Sequence, residues 1–155
     1  MRNIIPLVFT SLILGAPAVA LTVNLQDRER FRMCRNNLSQ LWKMANNYMV
    51  EFGGSHKIMP VETGDAFWLK FSSPETPLID AKMMAIYQCP IENFDDKGCD
   101  YRGPAGNVNR YKNEDAVGAD VDGNHGIGKG GNVLRVSGDV QATDGNDRLW
   151  DAAII

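Results

Sequence analysis

The oxygen-rich segment Asp120-Val121-Asp122-Gly123-Asn124 is, by residue type, the part of the chain best suited to chemistry. Carboxylate and amide oxygens at alternate positions in a glycine-rich loop are the ligands that a hard cation such as calcium takes. The match to a helix–loop–helix calcium loop then breaks down. His125 stands where that loop has its sharp-turn glycine, and Gly131 stands where a bidentate glutamate closes the shell. Asp120, Asp122 and Asn124 remain candidates for a calcium site of another kind, completed by Asp115, Asp139 or Asp144. An ordinary acidic surface loop is the competing expectation. The overlapping stretch Gly123 to Gly130 resembles a phosphate loop, but Gly130 replaces the hydroxyl residue after Lys129, and a strand follows instead of a helix N-terminus.

Sulfur is the second chemical resource. Cys89 and Cys99 flank a polar loop, Ile91 to Gly98, and could close a small disulfide ring. Cys34 lies on an expected helix; a Cys34–Cys89 bridge, tying that helix to the sheet, is the other pairing considered. Zinc is not expected, because there are two histidines, His56 and His125, and no Cys-x-x-Cys pair. Nucleophilic catalysis finds no Gly-x-Ser-x-Gly elbow, and Cys34 falls on a core stripe. The chain is expected not to be an enzyme; a small hydrolase would need carboxylates or His125 to converge in one cleft.

These residues must be positioned by one small domain. The chain has 155 residues, 44% hydrophobic and 23% charged, which excludes wholesale disorder. A net charge of −3 argues against nucleic acid as a partner. No charge occurs between Arg2 and Asp27. Met1-Arg2-Asn3, an apolar run from Ile4 to Gly15, and Ala16-Pro17-Ala18-Val19-Ala20 make the three-part layout of a secretory signal peptide. Residues 1–20 are read as that signal, with retention as a membrane anchor the alternative. Either fate places the domain, residues 21–155, outside the cytoplasm, where disulfides are permitted. Its acidity is uneven: residues 89–155 carry 7 basic and 12 acidic groups, and residues 103–145 hold ten of the 15 glycines.

From Arg28 to Phe52 there is neither proline nor glycine, and Phe31, Cys34, Leu38, Leu41, Ala45, Tyr48 and Phe52 step by 3 and 4. That spacing predicts one continuous helical stripe, capped by Asp27 and ended by Gly53-Gly54. Arg28, Arg30, Arg32 and Arg35 are read as a solvated face in preference to a lipid contact. Gly64 to Phe71 predicts a short helix whose Phe67, Trp68 and Phe71 are core. Met84 to Cys89 reads as a strand ended by Pro90, and Tyr101-Arg102-Gly103-Pro104 as a strand end or turn. Asn132–Val136 and Asp139–Ala142 around Ser137-Gly138 predict a hairpin. The class is α+β, with a long N-terminal helix packed on a small C-terminal antiparallel sheet.

In matching order, several short motifs resemble the pilin-like proteins related to type II secretion pseudopilins, in particular those with prepilin-type N-termini and a C-terminal His-x-Asp-Gly motif. Cys34-Arg-Asn36-Asn37-Leu38-Ser-Gln40-Leu41 looks like that group's Cys-x-x-Asn-Leu-x-Gln-Leu. Cys89-Pro90, Tyr101-Arg102-Gly103-Pro104, and His125 with Gly131-Asn132-Val133-Leu134 and Gly138 are similar to its later segments. The chain departs from the group in having only Phe9-Thr10-Ser11-Leu12-Ile13 as an echo of the processing site, and Ser137 where Asp precedes Gly. The resemblance implies a pilin-like fold and a structural or interaction role in a secretion or pilus-like assembly, with protein partners or self-association. Membrane contact is implied only if the N-terminal segment is retained. An extracytoplasmic binding module built on the acidic loop is the alternative.

Overall fold

The computed structural model describes residues 15–90 and 98–152, with side chains from residue 28 to residue 151. Most of the expected signal peptide and most of the Ile91–Gly98 loop lie outside the described residues. Helix α1 runs from Gly15 to Glu51 (37 residues), about 55 Å of helix. It passes through Asp27 without a break, so Asp27 is not the N-cap expected from sequence. Nothing between Ala18 and Asp27 stops a helix: there is no proline or glycine, and the run is mainly Ala, Leu and Val. No helix among the described residues is long and apolar enough to cross a membrane.

The C-terminal end falls where expected. The N–H groups of Phe52 and Gly53 both close on Tyr48 O, at 2.8 and 3.0 Å. A β-carbon at Gly53 would lie 2.5 Å from Met49 O, so only glycine lets the chain leave here. Cys34, Leu38, Leu41, Trp42 and Ala45 form the buried stripe, at the i, i+4, i+7, i+8, i+11 positions of one helical face. Each fully buried leucine contributes about 2 kcal/mol by leaving water. Phe52 is 40% exposed, so the stripe ends before the last residue expected on it. The four arginines near its start are exposed, and Arg32 pairs with Glu29 at 2.8 Å, in keeping with a solvated face.

The sheet is an antiparallel meander of four strands in order β1 (Tyr101–Arg102), β2 (Ala116–Asp120), β3 (Asn132–Arg135) and β4 (Val140–Ala142). The predicted hairpin is β3–β4. Its turn closes with Gly138 N–H on Arg135 O at 2.9 Å, and Gly138 takes the left-handed φ of +87°. The chain is thus α+β. The segment expected as a strand, Met84 to Cys89, is instead a 3-10 turn over Met84–Tyr87. Asp80 Oδ1 accepts from the N–H groups of Lys82 and Met83 and bends the chain there. Ile86 and Tyr87 are both buried on this turn.

Two layers cover the sheet. On one face α1 packs with helix α2 (Asp65–Leu69), whose Phe67 and Trp68 are fully buried, as is Phe71 just beyond it. These aromatics meet edge to face, with centroids 4.9 Å apart for Phe67–Trp68 and 5.5 Å for Phe67–Phe71. Trp68 lies so close to β2 that a β-carbon on Gly118 would stand 2.5 Å from its ring. On the other face helix α3 (Arg148–Ala152) lays Trp150 against Ala116, Ala119 and Val133. Val133 serves this small face and Leu134 the large one, the period-two alternation of a strand covered on both sides.

Candidate functional site

One turn of α1 and the upper end of the sheet meet in a buried polar seam. Asp120 ends β2 and is fully buried. Its Oδ2 accepts from Asn132 N (2.7 Å), Asn132 Nδ2 (2.8 Å) and His125 Nε2 (2.7 Å). Because that oxygen accepts, Nε2 is the ring nitrogen that carries hydrogen. Oδ1 of Asp120 and Oδ1 of Asn132 are buried and have no hydrogen-bond partner among the described residues. Gly131 makes the approach possible, since a β-carbon there would be 2.9 Å from Asp120 Oδ2.

The helix supplies the other wall. Phe31 stacks on His125 with centroids 4.1 Å apart, and Phe31 O accepts from Asn132 Nδ2 at 3.2 Å. One turn on, Cys34 Sγ lies 2.9 Å from Cys89 Sγ. Cys34, Cys89 and His125 each bring one ligand-capable atom within 4.8 Å of the others. The Cys89 segment is held on the helix by Asn37 Nδ2, which donates to Gln88 O at 3.0 Å and to Tyr101 Oη at 3.0 Å. Cys89 N–H donates to Asp100 Oδ2 at 2.7 Å. Asp100 O in turn accepts from Asn124 Nδ2 at 3.0 Å, tying the acidic loop to the same corner.

Electrostatics point away from a reactive thiolate. The contact with Cys89 is the first cause that raises the Cys34 pKa, followed by burial and the nearby charge of Asp120. Tyr101 is likewise pushed up, by burial first and then by Cys34. A thiol, imidazole and carboxylate do stand in the sequence used for nucleophilic relays. Here the thiol is held protonated, and Cys34, Cys89 and the His125 side chain are 0%, 1% and 5% exposed. Their neighbours close them off from solvent, a setting in which sulfur serves as a cross-link or a ligand.

The expected calcium ligands are not gathered. Asp120 Oδ2 is occupied by Asn132 and His125, and Asn124 is buried with its amide on Asp100. Asp122 is exposed, and its Oδ1 accepts from Gly128 N at 3.4 Å. β2 ends at Asp120 and the chain turns at Asp122, which carries that side chain out to solvent while Asp120 stays buried. Of the proposed completing residues, Asp115 caps Lys112 N, Asp144 caps Asn146 N, and Asp139 is exposed. The expected Cys89–Cys99 ring is not formed either: Cys34 is the sulfur against Cys89. Cys99 lines a cavity of about 400 Å³ with Gly64, Asp65, Tyr101, Arg102 and Val121. Sequence spacing gave no reason to expect zinc, yet folding brings Cys34, Cys89 and His125, 91 residues apart at the extremes, within ligand reach of one another.

Arg102 completes the rim. Its guanidinium stacks over Trp150 at 4.0 Å, its Nε donates to Asp120 O at 2.9 Å, and burial lowers its pKa against the pull of Asp122 and Asp120. Compared with protein-family models, with characterised proteins and with solved structures, the chain matches none of the three.

Proposed function

We propose that this chain is an exported pilin-like or pseudopilin-like structural and interaction protein, a subunit or accessory of a type II secretion or type IV pilus-like assembly. The observation that carries the reading is the shape of α1. The helix continues unbroken from Gly15 to Glu51, yet Phe31 is its first described side chain tied to the sheet, after the exposed Arg28, Glu29 and Arg30. A helix whose rear half is clamped to a small antiparallel sheet and whose front continues into an apolar, uncharged run is built to dock by that front half. The second support is the chemistry of the seam: a closed, buried network stabilises a scaffold and presents nothing to a substrate.

N-terminal sequencing of the protein recovered from the cell envelope tests the reading. A start near Phe9 marks prepilin-type processing and a retained helix front; a start at Leu21 marks a headpiece released by signal peptidase. An intact Met1 on envelope-bound protein marks an anchored subunit. Soluble cytosolic protein with an intact Met1 would overturn the proposal.

A further inference from the structure

We infer that Cys34 and Cys89 form a structural disulfide that fastens α1 to the segment leading into the sheet. Three chemistries are open to two thiols beside an imidazole: a hydrogen-bonded thiol pair, a metal site and a covalent bond. Distance separates the last two. A tetrahedral zinc ion about 2.3 Å from each sulfur holds the two sulfurs about 3.8 Å apart. A disulfide brings them to about 2.05 Å. The observed 2.9 Å is about 0.9 Å shorter than a shared zinc ion allows, and closer than two unbonded sulfur atoms rest against each other.

The surroundings enforce the approach. Asn37 holds Gln88 O against the helix at 3.0 Å, and Asp100 holds Cys89 N–H at 2.7 Å, so the residues on both sides of the contact are fixed. The bond would close a loop between positions 55 apart, joining the helix to a segment that belongs to no strand.

The reaction is thiol–disulfide exchange with a disulfide-bearing oxidant, such as a dithiol oxidase or oxidised glutathione. One cysteine thiolate attacks the oxidant and releases a first thiolate. The second cysteine thiolate then attacks the mixed disulfide and releases the other. Two S–H bonds and one S–S bond are exchanged for one new S–S bond and two reduced thiols. Both sulfurs are essentially inaccessible in the folded domain. The exchange therefore occurs while the chain folds, and the finished bond is shielded from external thiols. The inference rests on the export reading only for its oxidant in the cell.

The test counts thiols on the full chain, unfolded in denaturant and alkylated before and after reduction. Protein from an oxidising compartment should show one reactive thiol, Cys99, and three after reduction, with a proteolytic peptide joining Cys34 to Cys89. A Cys99→Ser variant should show none before reduction. Reduction should lower Tm by about 10 °C for a loop of this size, and Cys89→Ser should remove that difference. Three reactive thiols, a Cys89–Cys99 peptide, or one equivalent of zinc retained by the pair would overturn the inference. Refolding the reduced full chain in a glutathione redox buffer separates the two proposals: the bond forms there even if the protein proves cytosolic.

Discussion

The two halves of the α1 contact are built from different materials. From Leu38 to Ala45 the helix enters the core through apolar and aromatic side chains, with Leu38, Leu41 and Ala45 wholly out of water. From Phe31 to Asn37 it meets the sheet through an aromatic–imidazole stack, a thiol pair and two amide hydrogen bonds to backbone oxygens. Hydrophobic packing is non-directional and tolerates small shifts. The polar seam is directional, and each lost partner leaves a buried group unsatisfied. The lower half therefore determines whether the domain folds, and the upper half determines where the front of α1 points.

Breaking the lower half should have the largest effect. Leu38→Asp places an unpaired charge at a fully buried position and should abolish folding. A soluble Leu38→Asp protein that melts cooperatively would refute the spine role of α1. Breaking the upper half should cost less. Asp120→Ala removes the acceptor for Asn132 N, Asn132 Nδ2 and His125 Nε2 and should cost roughly 3 kcal/mol. Urea titration checks it as a lower midpoint at unchanged slope, and Asp120→Asn, which keeps an acceptor oxygen, should lose less. An Asp120→Ala protein as stable as the parent would show that the seam adds nothing.

The smallest effect concerns groups outside both halves. Burial raises the pKa of Cys99 from 9.0 to about 12 and that of Tyr87 from 10.0 to about 12. Between pH 9 and 12 the folded chain then holds more protons than the unfolded one. This contribution to stability is whole below pH 9 and is lost as pH rises toward 12. Denaturation midpoints should fall over that window, and less steeply for Cys99→Ser. A midpoint independent of pH there would contradict the burial of both groups.

The lower half was legible in the sequence, because an apolar repeat of 3 and 4 has one physical solution, a helix on a core. The hairpin at Ser137-Gly138 and the burial of Phe67, Trp68 and Phe71 were readable for the same local reason. β2 was not. Its residues Ala116–Asp120 are buried throughout, so no polar–apolar alternation marks them, and Gly118, which lowers strand propensity, is there to admit Trp68. Nor was α3, a helix of five residues held by one tryptophan. The seam escaped a reading by spacing because its members come from α1, the Cys89 turn, the end of β2 and the start of β3. The ordered short motifs around Cys34, Cys89-Pro90, His125 and Gly131-Asn132 hold most of its members, but they were read as a resemblance and not as one site. Reading Asp120 with its neighbours Asp122 and Asn124 left calcium or a plain acidic loop as the choices, whereas in the fold its partners are His125 and Asn132.

Amide hydrogen exchange along α1, in the parent and in Asp120→Ala, tests the difference between the two halves most directly. Loss of the Asp120 acceptor should strip protection from the peptide covering Phe31 to Asn37 and leave Leu41 to Tyr48 protected. If both stretches lose protection together, α1 is held as one undivided contact and the division into an apolar clasp and a polar pointing seam is wrong.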